Sequence, residues 1–211
     1  MDVVIRGVQS WYEAIEEEAR RIGGVLAGSF DDSERLRTYT YSVREIIRNV
    51  FEHSQADECF ICGQRWYGGQ VEVAIVDEGV GIARTLSRTH DFFFDDEALP
   101  LAVRPGVSRT AGLSEVENIY DNSGYGLYVL SELAASFGWF ALGSGTAMLV
   151  GRKQERLIEP CSFEGTFFGL RLNSTPSNFQ SVLRDIIDVG EAEALASGAK
   201  ARASGRSRVA R

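Results

Sequence analysis

The sequence predicts an α/β two-layer sandwich, with helices on one face of a mixed β-sheet, and three observations carry that prediction. Residues 71–77 alternate, Val71, Val73 and Ile75 to one side and Glu72, Ala74 and Val76 to the other, which is the period of a strand with one buried face. Apolar residues recur at helical spacing in three other stretches: Trp11, Ile15, Ala19 and Ile22; Val43, Ile46, Ile47, Val50 and Phe51; and Leu127, Leu130, Ala134 and Phe137. Further strand-like runs follow, so helical and extended segments interleave along one chain.

Taken in order, Val3–Val8 reads as a strand, and the Trp11 to Ile22 face as a helix behind it. The next helix is apolar over a broad face, yet Glu45, Asn49 and His53 form a polar stripe on its margin. Such a stripe costs free energy inside a protein unless its groups find partners. A carboxylate beside an amide oxygen suits hydroxyl protons and hard cations, so Glu45 is a candidate proton acceptor and Asn49 a candidate Mg²⁺ ligand. An alternative remains open, in which the stripe simply faces water.

Strand 71–77 ends in Asp77, whose carboxylate continues the inward set and therefore needs a donor from protein, water or ligand; an adenine amino group would serve. Gly79 and Gly81 follow, where the absence of Cβ permits a close approach to a flat base or a positive φ. Asn122-Ser123-Gly124-Tyr125-Gly126-Leu127 then reads as a glycine turn opening a helix, whose free N–H groups would face a phosphate. Gly143-Ser144-Gly145 reads as a hairpin turn joining strands at about 139–142 and 146–152, and 165–172 supplies another strand.

These segments resemble the GHKL ATP-binding superfamily of gyrase, the heat-shock chaperone, histidine kinases and MutL. Glu45-Ile-Ile-Arg-Asn49-Val-Phe-Glu-His53-Ser is similar to its N box, Asp77-Glu-Gly79-Val-Gly81-Ile82 to its first glycine box, Gly124-Tyr-Gly126-Leu127 to its second, and Gly165-Thr166 to the Gly-Thr near its last strand. The resemblance covers about residues 35–172 and implies a Bergerat-type fold. It also implies ATP and Mg²⁺ as ligands, with Asn49 on the metal, and Asp77, Gly79, Gly81, Ile82, Gly124, Gly126, Leu127 and Thr166 around the nucleotide. Sensor histidine kinases usually carry Asn where Glu45 stands. Glu there resembles the family's ATPases and anti-sigma-factor serine kinases, implying Glu45 as general base toward water or a Ser/Thr hydroxyl of a regulatory partner protein. The alternative is a nucleotide-gated binding module with negligible turnover. Glu52 is expected to face solvent or pair with Arg48.

The expected organisation is a strand and helix over 1–34, belonging to the same domain as an ATP-binding body over 35–175 with a lid at 84–123. An amphipathic helix over 176–189 and a basic, disordered tail over 190–211 follow. Pro176, capped by Ser174 or Thr175, would begin that helix, with Phe179, Val182, Leu183, Ile186 and Ile187 on a face that packs on the core sheet, on a partner or on a second copy of the chain. In the lid, Arg104 or Arg109 is expected near the γ-phosphate, or else balancing Asp91, Asp95 and Asp96.

Composition bounds the rest. The chain has 211 residues, 44% of them hydrophobic, enough for a sizeable core, and no apolar run of membrane-spanning length. The N-terminus lacks a secretory pattern, so a cytoplasmic location is expected. A net charge of −8, with five basic residues confined to positions 200–211, argues against nucleic acid as the partner of the body. With 3 Cys, a disulfide framework is not expected. Cys59 and Cys62 lie in a β-like run, where residues three apart face opposite sides and chelate poorly.

Overall fold

The computed structural model describes residues 8–108, 123–198, 202–205 and 207–208. Helices α1 (Val8–Ala27) and α2 (Glu34–Asn49) lead through a π-helical turn (Val50–Ser54) into hairpin β1 (Cys59–Arg65) and β2 (Val71–Asp77). Short helices α3 (Ile82–Leu86) and α4 (Asp95–Ala102) come next, then α5 (Gly126–Phe137), β3 (Gly138–Arg152), β4 (Glu155–Leu172) and α6 (Phe179–Ala196).

The strands form one sheet in the order β1-β2-β4-β3, and helices cover one of its faces: the two-layer α/β sandwich. Every pairing among the described strands is antiparallel, so the mixed character expected of the sheet is not found there. Of the expected first strand, residues 3–7 lie outside the described residues, and Val8 opens α1.

Alternation holds the sheet to its helices. Val71, Val73 and Ile75 are buried, as are Phe140, Leu142, Phe168 and Leu170 on the neighbouring strands, and they meet Ile15, Ala19, Val43, Ile46, Leu130 and Ala134 from the helical layer. Asp77, 3% exposed, continues the buried set of β2 and stands opposite Thr166 of β4.

Three local expectations are corrected. Gly143-Ser144-Gly145 does not turn the chain. It sits inside β3, where the register with β4 shifts, and the true turn falls at Lys153, which has φ 53°. The bulge has an evident cause: Gly145 takes φ 63°, and Asp95 accepts bonds from the Thr146 N–H (2.9 Å) and hydroxyl (3.0 Å). Phe51 does not join the buried face of α2, because the π-helical turn advances fewer degrees per residue; it is 44% exposed and meets Trp11 edge-on.

The last helix starts at Phe179, not Pro176. Asn178 Oδ1 accepts from the Ser181 N–H at 2.9 Å, while Glu34, far away in sequence, accepts from the Phe179 N–H. Phe179, Leu183 and Ile187 pack with Tyr41, Tyr128, Val129 and Leu133 in a second cluster, so α6 covers the helical layer and not the sheet.

Gly165 is the tightest backbone crossing beside Asp77: its φ is +105°, and a Cβ there would lie 2.0 Å from the Asp77 carbonyl oxygen. Gly165→Ala is expected to cost about 2–3 kcal/mol, from backbone strain plus overpacking. Urea denaturation checks it; a loss below about 0.5 kcal/mol would contradict this packing.

Candidate functional site

One cavity of about 100 Å³ opens between α2, the end of β2, β4 and the start of α5. Glu45, Asn49, Asp77, Ile82, Gly124, Gly126, Leu127 and Thr166 line it, together with His53 and the apolar side chains of Ile46, Ile75, Leu142 and Phe168. Of the residues singled out in the sequence, Gly79 and Gly81 do not line it; they border an adjacent open hollow with Ser144 and Gly165.

Their role is backbone placement. A Cβ on Gly79 would meet the Ser54 carbonyl oxygen at 2.2 Å, and the Val80 N–H donates to that same oxygen at 2.8 Å. Gly81 has φ +78°, and a Cβ would stand 2.7 Å from Ser144 Oγ. Ser144 Oγ accepts from the Ile82 N–H (3.0 Å) and donates to the Gly165 carbonyl (2.7 Å), tying the loop after β2 to β4. Ser54 and Ser144 escaped sequence reasoning: one lies in a π turn, the other in a bulge that reads as a hairpin.

The Asp77 carboxylate accepts from the Gly79 N–H at 2.9 Å. Burial raises its pKa, and the backbone N–H groups of Gly79 and Thr166 only partly offset that. The folded chain therefore holds this proton more tightly than the unfolded chain does. Ionised Asp77 costs stability at neutral pH, and the cost vanishes as pH falls into the ordinary carboxylate range. Asp77→Asn keeps an oxygen for the Gly79 N–H, so it is expected to be more stable than wild type at pH 7, with a margin that shrinks toward pH 4. Thermal melts across that range check the sign.

Glu45, 2% exposed, lies in a buried ion network. Its Oε1 accepts from Arg44 Nε at 3.0 Å and Arg48 Nη1 at 3.4 Å, and Arg48 Nε donates to Glu52 Oε1 at 3.0 Å. Glu52 thus pairs with Arg48, as one of its two expected readings had it. Arg44 also lies over the Tyr41 ring and contacts Glu16 of α1. Burial lowers the pKa of Arg48, but the carboxylates of Glu45 and Glu52 outweigh it and hold the guanidinium above its ordinary value.

Gly126 opens α5 directly against this group: a Cβ would come within 2.8 Å of Glu45 Oε2 and 3.9 Å of Asn49 Nδ2. The Asn49 amide donates from Nδ2 to the Glu45 carbonyl at 2.8 Å, which leaves Oδ1 as its acceptor for other groups. That oxygen, beside a carboxylate and a Cβ-free helix start, is a donor set of the kind a hard divalent ion accepts when phosphate and water complete its shell.

Gly124, with φ +72°, packs where a Cβ would strike the Val107 carbonyl at 2.6 Å. Val107 and Ser108 thereby close one side of the cavity. Within the expected lid, α3, α4 and residues 103–108 are described; Arg104 is exposed and does not line the cavity, and Arg109 lies outside the described residues. Asp95 is engaged with Thr146 rather than with an arginine.

The tail expected to be disordered over 190–211 is partly built into the fold: α6 continues to Ala196, and Ser207, 3% exposed, lines the cavity, which nothing in the composition of the tail signals. The Tyr41 hydroxyl donates to its carbonyl at 3.1 Å. The three cysteines are free thiols, no His/Cys/Asp/Glu cluster suited to a metal occurs among the described residues, and no described helix is long and apolar enough to cross a membrane.

No protein-family profile matches this chain, and no curated protein does. Among solved structures, full-length ShkA in complex with AMPPNP is similar at 13% identity and a TM-score of 0.42, over 84% of this chain and 33% of that one. The chain thus spans a third of the length of that protein.

Proposed function

We propose that the chain is a GHKL-type ATP-binding protein that hydrolyses ATP or passes its γ-phosphoryl group to a Ser or Thr hydroxyl, switching a partner protein. The observation that carries this reading is convergence: Glu45, Asn49, Asp77, Gly124, Gly126 and Thr166 come from α2, β2, β4 and α5 with the turn before it, and line one cavity.

In this reading Asp77 accepts a hydrogen bond from the adenine amino group, Thr166 supports the same edge, and Ile75, Ile82, Leu142 and Phe168 provide apolar cover. Phosphates lie along the start of α5, where the N–H groups of the first turn point out of the helix end and the helix dipole favours negative charge. Asn49 Oδ1 would hold Mg²⁺, which would neutralise phosphate charge. Glu45 receives the proton of the attacking hydroxyl, held in place by Arg44 and Arg48. Catalysis then consists of positioning and charge compensation. The present cavity, about 100 Å³, is smaller than the roughly 300–1,000 Å³ of typical ligand sites, so in this reading it enlarges when ATP binds.

A second reading, a nucleotide-gated module with negligible turnover, is favoured by one feature: both Glu45 oxygens already lie within 3.4 Å of Arg48. Turnover of radiolabelled ATP by wild type and Glu45→Gln separates the two. The first reading expects a loss of about 10²- to 10⁴-fold in the variant with ATP affinity kept. Tight binding with equal, near-zero turnover in both supports the module.

A further inference from the structure

We propose that Ser207 is an intramolecular phosphoacceptor of this site: the C-terminal segment delivers its hydroxyl to the cavity that holds Glu45 and Asn49. The inference deepens the ATP-binding reading above and rests on it.

Five contacts hold the segment. Ala203 is buried in the cluster that α6 forms with α5, and its N–H donates to Glu191 at 2.9 Å. Arg208 pairs with the same Glu191, and its carbonyl accepts from Gln180 Nε2 at 3.0 Å. Between these anchors, the Ser207 carbonyl is held by Tyr41. Tyr41 precedes Glu45 by four residues in α2, so the two side chains stand one turn apart on one face of that helix.

The Ser207 hydroxyl lies 3.2 Å from that of Ser204, and Ser204 Oγ accepts from the Ser207 N–H. Ser207 lines the cavity and Ser204 does not, which singles out the former. Anchoring on both sides removes the entropic cost of bringing an acceptor to the nucleotide, the advantage an intramolecular reaction has over a diffusing one.

The step is a phosphoryl transfer from a nucleoside triphosphate. The Ser207 oxygen forms a bond to the γ-phosphorus, the bond from that phosphorus to the β,γ-bridging oxygen breaks, and its electron pair leaves with the nucleoside diphosphate. The hydroxyl proton passes to the Glu45 carboxylate, giving phosphoserine at 207.

The test incubates the full chain with γ-labelled ATP and magnesium, maps phosphate by mass spectrometry, and measures ATP binding to the wild type in parallel. Expected are label on Ser207, a rate constant unchanged on tenfold dilution, and at least a 20-fold loss of label in Ser207→Ala, with Ser204→Ala labelled within threefold of wild type. Glu45→Gln should lose label to a similar degree. ATP binding without phosphate on Ser207, or undiminished label in Ser207→Ala, overturns the acceptor and leaves the ATP-binding reading standing. A wild type that binds no ATP overturns both.

Discussion

Arg48→Ala is expected to lower the stability of the fold by about 3–5 kcal/mol, the range for breaking a buried ion pair from one side. The side chains of Arg48, Glu45 and Glu52 are only 7%, 3% and 4% exposed, so solvent screening does little to soften the loss. Two carboxylates share this guanidinium, and Arg44 also reaches one of them, Glu45. Truncation therefore takes the Arg48 charge away from two buried carboxylates and removes a guanidinium that lies over the ring of Tyr12. The midpoint of thermal unfolding should fall by roughly 6–20 °C for a chain of this size. Adding Glu52→Gln to Arg48→Ala should recover part of it, since one of the two buried carboxylates then carries no charge. A single variant that loses less than about 1 kcal/mol would mean that the network behaves like surface charge, and that Glu45 is not fixed as described.

The second large effect is on ligand affinity. Asp77→Ala removes the one buried carboxylate at the end of β2 and should weaken ATP binding about 100-fold, equivalent to the roughly 2–3 kcal/mol of a hydrogen bond to a charged group. The fold should survive, because the ionised side chain costs stability when no ligand is present. Opposed effects of one substitution on stability and on affinity mark a residue kept for binding. Loss of both together would instead mark Asp77 as a structural group.

The parts of the architecture that were legible from the amino-acid sequence are those set by local periodicity. The inward run Val71, Val73, Ile75 and Asp77 is read directly from alternation, and the start of α5 from Gly124 and Gly126, because their physical causes act within a few residues. The chain is misread where a distant group decides. Gly143-Ser144-Gly145 has turn composition, yet Asp95 and Gly165 hold it in a bulge within a continuous strand. The start of α6 depends on Glu34, more than a hundred positions away, so Pro176 is a misleading local signal. Phe51 is displaced by a π-helical turn that leaves no mark on the apolar pattern.

The candidate site divides along the same line. Glu45, Asn49 and Asp77 advertise themselves as polar groups in apolar surroundings, which is costly without purpose. Ser54, Ser144 and Ser207 do not, since a serine is as much at home in a loop as in a cavity wall, and only the three-dimensional arrangement distinguishes them.

Calorimetric titration of the wild-type chain with ATP and magnesium, beside GTP under the same conditions, addresses the central claim most directly. An adenine amino group read by Asp77 predicts micromolar-range binding of ATP, at least tenfold weaker binding of GTP, and loss of that preference in Asp77→Asn. No heat from ATP at millimolar concentration, or equal affinity for both nucleotides in wild type and variant, would contradict it.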